Sequence, residues 1–309
     1  MKFKRKKSKF SKTKKNKKII NVLTFFVALI IFVAVLSVIA LWTYIQLQNE
    51  DKSKPEEPPV AEDVFTDTEQ CKNLFITVAD GDVLNSILLV RVDPVKNNIF
   101  ISSVPTSFTV DAGFEEKTLA SLFSGSGTQR LADEFTSATD IAVNNWISLT
   151  MDNIKDVLRY YAKSIEFDLT QNLDYRGEGI NIKLSAGRQN LSSAQVIDVI
   201  RYPANAWQNG AQDHFSAVEN LAAAFVNQMH TPSRAEKLEA DFGALTDIFS
   251  SNMSIANFYE AKEGLEWLAK NNKGEISVTL PLDGEYVGND DERFYLSDTS
   301  KKALENTYK

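Results

Sequence analysis

Between Ile19 and Ile45 the chain runs for more than twenty residues without one charged side chain, and Phe25–Leu41 is almost wholly Leu, Ile, Val, Phe and Ala. A bilayer core about 30 Å thick needs roughly twenty apolar residues of helix, so this stretch is expected to span a membrane. Trp42 and Tyr44 stand where an aromatic belt is expected at the exit interface. Eleven Lys and Arg residues lie between Lys2 and Lys18 with no acid among them, and Glu50 and Asp51 are the first charges after the span. The positive-inside rule then keeps the N-terminus cytoplasmic and places residues 46–309 outside the cell. A cleaved signal peptide also pairs a basic segment with an apolar one. Here the apolar run is too long for that, and no small-x-small site precedes Gln46. The segment reads as an uncleaved signal-anchor that makes the cell membrane a partner. The basic tail also attracts anionic headgroups, at about 1 kcal/mol per charge near the surface. Its tethering argues against nucleic acid.

Composition divides with the compartments. The net charge of −7 includes the eleven positive charges of the tail and leaves −18 on the rest, so any anionic ligand needs a local basic cluster. Cys71 is the only cysteine, which excludes an internal disulfide and leaves about 240 external residues to fold on apolar burial. That usage suits a Gram-positive surface protein. Cys71 reads as a bystander thiol, since only His214 and His230 could assist it. The same scarcity makes a zinc site improbable.

Along the chain, residues 1–18 form the basic tail, 19–45 the span, 46–70 a linker and 71–309 one external domain. Asp51–Pro59 has three prolines, five charges and no apolar residue, and predicts an extended stalk. Asn73–Val78, Ile87–Val92 and Ile99–Val104 are β-rich runs, the last two joined tightly through Asp93-Pro94 and Asn97-Asn98. Their apolar residues dominate rather than alternate, which predicts central strands covered on both faces. Helical spacing follows in Ile154, Val157, Leu158 and Tyr161, and in Phe215, Val218, Ala222, Phe225 and Met229. Ser192 and Gln195 form a capping box, with Leu191 and Val196 as its staple. Thr231-Pro232 is expected to start a helix with the apolar face Leu238, Phe242, Leu245 and Phe249. Phe258, Ala261, Leu265 and Leu268 mark another; a strand at 275–280 and a helix at 299–304 close the chain. The fold class is α/β: a central mixed sheet flanked by helices, preceded by one N-terminal transmembrane helix.

Motifs of chemistry are scarce. Ser124-Gly-Ser-Gly127 lacks a following Lys and predicts a helix-flanking loop rather than a phosphate cradle. Neither a Gly-x-Ser-x-Gly elbow nor paired histidine ligands occur.

The order of segments nevertheless resembles the LytR-CpsA-Psr family of Gram-positive envelope proteins. Val83–Ser107 lies without a gap on that family's strand-turn-strand segment, whose ends carry Arg-x-Asp and Pro-Arg-Asp. Leu191–Arg201 resembles its helix from Leu-Asp-Gly-Glu to Arg-x-Arg, and Glu285–Leu304, with Phe294-Tyr-Leu-Ser-Asp298, its closing segment. The resemblance implies a domain that holds a polyprenyl phosphate or pyrophosphate, its tail in an apolar cleft and its phosphates on arginines and Mg²⁺. It also implies transfer of a glycopolymer to the cell wall. Phosphoryl transfer works mainly by positioning and charge neutralisation, and arginine forks suit phosphate oxygens.

By that resemblance Asp80 stands at the first, metal-binding aspartate, and Arg201 at the first lipid-phosphate arginine of Arg-x-Arg. Departures surround them. Val83 and Asn85 occupy Arg-x-Asp, Thr106 and Ser107 follow Pro105, Pro203 takes the second helix-end arginine, and Ala211, His214 and Phe215 fall on Arg-x-x-Arg-Gln. A hydrogen bond to a charged group contributes about 1.5–3 kcal/mol, so losing four of these five arginines costs roughly 6 kcal/mol or more, on the order of 10⁴ in affinity or rate. Asp82, Arg91 and Arg188 are candidate substitutes. The expected protein is a degenerate member that binds a polyprenyl-phosphate lipid, a cell-wall polymer or an envelope protein with little or no transferase activity. A rearranged active transferase and a surface interaction module are the alternatives. Plainer roles stay open for both residues: Asp80 as a turn former with Gly81-Asp82, Arg201 as a helix C-terminal cation.

Overall fold

In the computed structural model, which describes residues 64–309 apart from 114, 162–163, 178–179 and 289–292, the three β-rich runs form an antiparallel meander. It comprises β1 (Lys72–Asp80), β2 (Val83–Asp93) and β3 (Asn98–Val104). The tail, the span and most of the stalk lie outside the described residues. No helix among the described residues is long and apolar enough to cross a membrane. The β2–β3 turn follows from its chemistry: the Asp93 carboxylate accepts the Lys96 amide at 3.0 Å, and Asn97 takes the left-handed conformation (φ 53°) that Asn tolerates.

The remaining elements extend this sheet and cover it. The strands β4 (Thr109–Asp111) and β5 (Glu116–Thr118) pair ahead of α1 (Leu119–Thr139), whose N-terminus is capped by the Thr118 side chain. Ser124–Gly127, expected to be a loop, lies inside α1, which breaks at Gly127 (φ 70°). Next, β6 (Asn145–Thr150) pairs in parallel with β1 and leads into α2 (Met151–Tyr161). Four short strands follow in two antiparallel pairs, β7 (Ser164–Leu169) with β10 (Gly187–Ser192) and β8 (Leu173–Gly177) with β9 (Ile180–Leu184). The predicted capping box is present at the start of α3 (Ser193–Arg201), and α4 (Ala211–Met229) comes next.

Thr231-Pro232 begins not an α-helix but a 3-10 segment, Pro232–Lys237, whose first turn is closed by the Arg234 amide on the Thr231 carbonyl at 2.9 Å. Only from Leu238 does α5 (Leu238–Thr246) run, so Phe249 falls outside it. The chain ends with β11 (Ser250–Ser251), α6 (Ile255–Asn271), β12 (Ser277–Thr279), the hairpin β13 (Gly284–Val287) and β14 (Arg293–Leu296), and α7 (Asp298–Tyr308). The central sheet has the order β11-β6-β1-β2-β3-β12, with β6 and β12 joining it in parallel: a mixed sheet, as predicted.

Strand periodicity divides the apolar residues between two cores. Phe75, Ile87, Leu89 and Val104 point to one face and pack with Leu131 and Phe135 of α1, Phe294 of β14, and Leu304 and Tyr308 of α7. Leu74, Ile76, Val78, Leu88, Val90 and Ile101 point to the other, beneath α2, α3 and α4. The first core is pinned through the C-terminal helix. The Tyr308 hydroxyl donates to the Leu89 carbonyl at 3.0 Å, and the Tyr308 carbonyl accepts from Asn73 at 2.8 Å and Arg91 at 3.2 Å. Arg91, which also bonds Asp93 at 3.1 Å, is thus a structural cation and not a replacement phosphate ligand. Arg188 pairs with Glu166 on the surface. Cys71 lies half-buried beside Asp93, where burial raises its pKa and suppresses the thiolate.

A candidate lipid cleft and its altered head end

The second face of the sheet is not fully packed. Between it and α2, α3, α4 and α5 lies a cavity of about 410 Å³. Leu74, Ile76 and Val78 of β1, Leu88 and Val90 of β2, and Ile99 and Ile101 of β3 form its floor; Val157, Ile200, Leu221 and Phe225 belong to its helical walls. Its size falls in the range of roughly 300–1,000 Å³ typical of small-ligand sites. The lining offers an aliphatic chain apolar contact along the length of the strands.

Both singled-out site residues meet at one end. Asp80 closes β1, two residues past the cavity-lining Val78, and Arg201 closes α3 directly after Ile200. The Arg201 guanidinium donates to the Asp80 carboxylate. Arg201 Nε is buried with no hydrogen-bond partner. Two more carboxylates feel this guanidinium: Asp152 is held below the ordinary carboxylate range, first by its bond to Lys155, and Asp198 is pushed above it by burial. Three acids thus gather around Arg201 and Lys155, and this rim is not electropositive. Among the described residues no three His, Cys, Asp or Glu groups converge to hold a metal. Asp80 supplies a single carboxylate already engaged by Arg201. This donor set does not fit a resident Mg²⁺, which takes an octahedron of oxygens.

Behind the rim the register of β1 and β2 slips: Val78 pairs with Ser86 but Ala79 with Leu84, so Asn85 is the extra residue of a β-bulge. Its Oδ1 is buried without a partner. The Asn85 carbonyl faces His214 of α4, which is 4% exposed and has its pKa pushed down to about 4 by burial. His214 is therefore neutral at pH 7. It continues an aromatic row: Tyr202 to Trp207 at 5.5 Å between centroids, Trp207 to His214 at 6.1 Å and His214 to Phe215 at 5.5 Å. Of the residues read against Arg-x-x-Arg-Gln, Ala211, His214 and Phe215 are buried and neutral, whereas Val83, read against the first residue of Arg-x-Asp, is 63% exposed. Pro203 starts a 3-10 turn, Ala204–Ala206, that carries the chain to Trp207. The backbone carbonyls of Thr106 and Ser107 accept the Ala120 and Phe294 amides.

Three groups escaped the sequence reading. Glu219 of α4 is buried against β3, where its Oε2 accepts the Ser103 amide at 3.0 Å. Arg234 pairs with Asp241, which contributes to the cavity lining between Leu238 and Leu245. A signal existed for Asp241, which lies three residues after Leu238 and four before Leu245, on the apolar stripe of its helix.

The LytR_cpsA_psr family model matches residues 80–309. No curated protein matches the chain by sequence. Its fold is similar to that of a protein from Eubacterium siraeum DSM 15702 described as a transcription regulator, with a TM-score of 0.70 at 13% identity over 82% of this chain and 98% of that one. It is also similar to TagV of B. subtilis (TM-score 0.63, 16% identity, 78% and 97% covered) and to a LytR-Csp2A-Psr enzyme from Actinomyces oris (0.58, 16%, 78% and 91%).

Proposed function

The chain belongs to the LytR_cpsA_psr family, whose members act in attaching glycopolymers to the cell envelope, and from that premise we propose that it is a membrane-anchored member that binds a polyprenyl-phosphate lipid with little or no transferase activity. The observation that carries this reading is the apolar cavity lined by Val78 and Ile200, with the Arg201–Asp80 pair close to them in the chain. It suits a chain of hydrocarbon with a single anionic head. The cavity weighs against a surface module that merely reuses the fold, for which such a volume has no use.

Loss of catalysis follows from charge. A transferring phosphoryl group needs its developing charge met by several fixed cations. At this head end Arg201 is already shared with Asp80, Lys155 with Asp152, and His214 is neutral. A phosphate that displaces Asp80 from Arg201 exchanges one ion pair for another. Binding is favoured by the apolar contacts behind it, and among the described residues the second cation at this end, Lys155, is already paired with Asp152. The charge asymmetry around the apolar run 19–45 supports a signal-anchor with the domain outside, and so a lipid site at the outer surface of the cell membrane, with an envelope protein or cell-wall polymer as its further partner.

The test is a thermal shift of the full-length chain with a short-chain polyprenyl phosphate, with and without Mg²⁺. Stabilisation independent of Mg²⁺ and weakened by Arg201→Ala is expected. A Mg²⁺-dependent shift would favour the active transferase, and no shift in any condition would remove the lipid reading.

A further inference from the structure

A second cleft lies on another flank of α4. It has a volume of about 450 Å³ and is bounded by that helix, by the end of β7 with the segment after it, and by Gln208-Asn209 ahead of α4. Asp213, Ser216, Ala217 and Asn220 line it at three- and four-residue spacings, which is one face of a helix. Val218, Leu221, Ala222 and Phe225 line the apolar cavity from the neighbouring face. One helix thus serves two cavities of comparable size and opposite chemistry.

No Lys, Arg or His lines this cleft among the described residues, so a phosphate or other anion finds no counter-charge in it. Its apolar side chains are Phe167, Leu169 and Ala217, too few to hold a lipid tail. The amides of Gln171, Gln208, Asn209 and Asn220 supply donors and acceptors together. Thr170 and Ser216 add hydroxyls, and Asp168 and Asp213 add carboxylates.

Part of this set is held in place. The Asn209 backbone amide and Nδ2 both donate to Asp213 Oδ2, at 2.9 and 3.1 Å, and the Gln208 backbone amide donates to Gln171 Oε1 at 3.0 Å. Asn220 Nδ2 donates to Ser216 Oγ at 3.3 Å. These bonds leave Gln171 Nε2, Asn209 Oδ1 and Asn220 Oδ1 without a partner among the described residues. A sugar hydroxyl donates one hydrogen bond and accepts two, so neighbouring hydroxyls on a ring can meet planar amides and carboxylates in pairs. The C–H face of the same ring suits a small apolar floor. A hard cation draws on charged oxygens, and of the two carboxylates here Asp213 is already engaged by Asn209.

We propose that this cleft is a binding site for an uncharged saccharide, separate from the apolar cavity. The proposal stands on the cleft alone and does not rest on the lipid reading.

Saturation-transfer NMR of the full-length chain in a sugar-free detergent tests it. Chitotetraose, maltotetraose and cellotetraose serve as uncharged probes, and tetragalacturonate as the anionic control. Transfer to at least one uncharged probe and none to tetragalacturonate is expected. Gln171→Ala/Asn220→Ala should weaken that binding about fivefold or more through lost hydrogen bonds. Gln208→Ala, which trims an exposed side chain and spares its backbone bond to Gln171, should weaken it too without altering the melting temperature. Added short-chain polyprenyl phosphate should leave the saccharide in place. No transfer to any uncharged probe, equal transfer to tetragalacturonate, or binding unchanged in both variants would overturn the assignment. Displacement by the prenyl phosphate would overturn it as well, by placing the sugar in the apolar cavity.

Discussion

Glu219 is buried on the sheet side of α4 without an ion pair among the described residues, and burial pushes its pKa up to about 7 against the partial relief of the Ser103 amide. Because the folded pKa is raised above the ordinary carboxyl value, the protonated form stabilises the fold below about pH 4.5, and that contribution is lost as pH rises through about 7. His214 has the opposite sign. Its pKa is lowered from 6.5 to about 4, so its contribution is full above pH 6.5 and is lost as pH falls through about 4. The two groups bracket the window of maximum stability. Glu219→Gln should raise stability at pH 8 by about 1–3 kcal/mol and have little effect near pH 4.5. Thermal melts of both proteins across that range check it, and an effect of equal size at both ends would show that ionisation is not the cause. At the same scale, Asn85 and His214 are neutral, and the rings of Trp207 and Phe215 pack against His214.

Elements built from strong local signals were legible before the structure. The β1–β3 meander announced itself because its residues are apolar on both pleats, and α3 because Ser192 and Gln195 satisfy each other's amides. Ser192→Ala should cost about 1 kcal/mol, visible as a lower denaturation midpoint at unchanged slope. Elements defined by their neighbours were not legible. β6 is a six-residue Asn-Trp-Ile-Ser-Leu-Thr segment whose identity comes from its parallel partner β1. At the site, Asp80 and Arg201 were readable through the order of segments, but their direct pairing depends on where β1 and α3 end relative to each other. The juxtaposition of Asn85 and His214 depends on a one-residue bulge, which no hydrophobic pattern encodes. The Arg234–Asp241 pair was missed for another reason: an acid on an apolar stripe reads as an interruption until its partner is seen.

Taken whole, the domain is one sheet with a sealed core on one side and a hollow one on the other. Filling the hollow should separate stability from binding: Ala222→Leu, at a lining position, is expected to hold or raise the melting temperature while abolishing the lipid-induced shift. A variant that melts lower and still responds to lipid would place the ligand elsewhere. The sealed side has its own consequence, for synthesis rather than binding. Its first strand is tied to its last helix through Asn73 and the Tyr308 carbonyl, 235 residues apart, and Tyr308 also fills the centre of that core. A ribosome adds roughly 5–20 residues per second, so β1 waits on the order of ten seconds or more before its closing partner exists. Through most of that interval the apolar pleat of Phe75, Ile87 and Leu89 has α1 to pack on but lacks the part of its cover supplied by Phe294, Leu304 and Tyr308. The nascent domain is therefore a client for whatever machinery shields unfinished chains, and it becomes self-sufficient only as its final helix arrives.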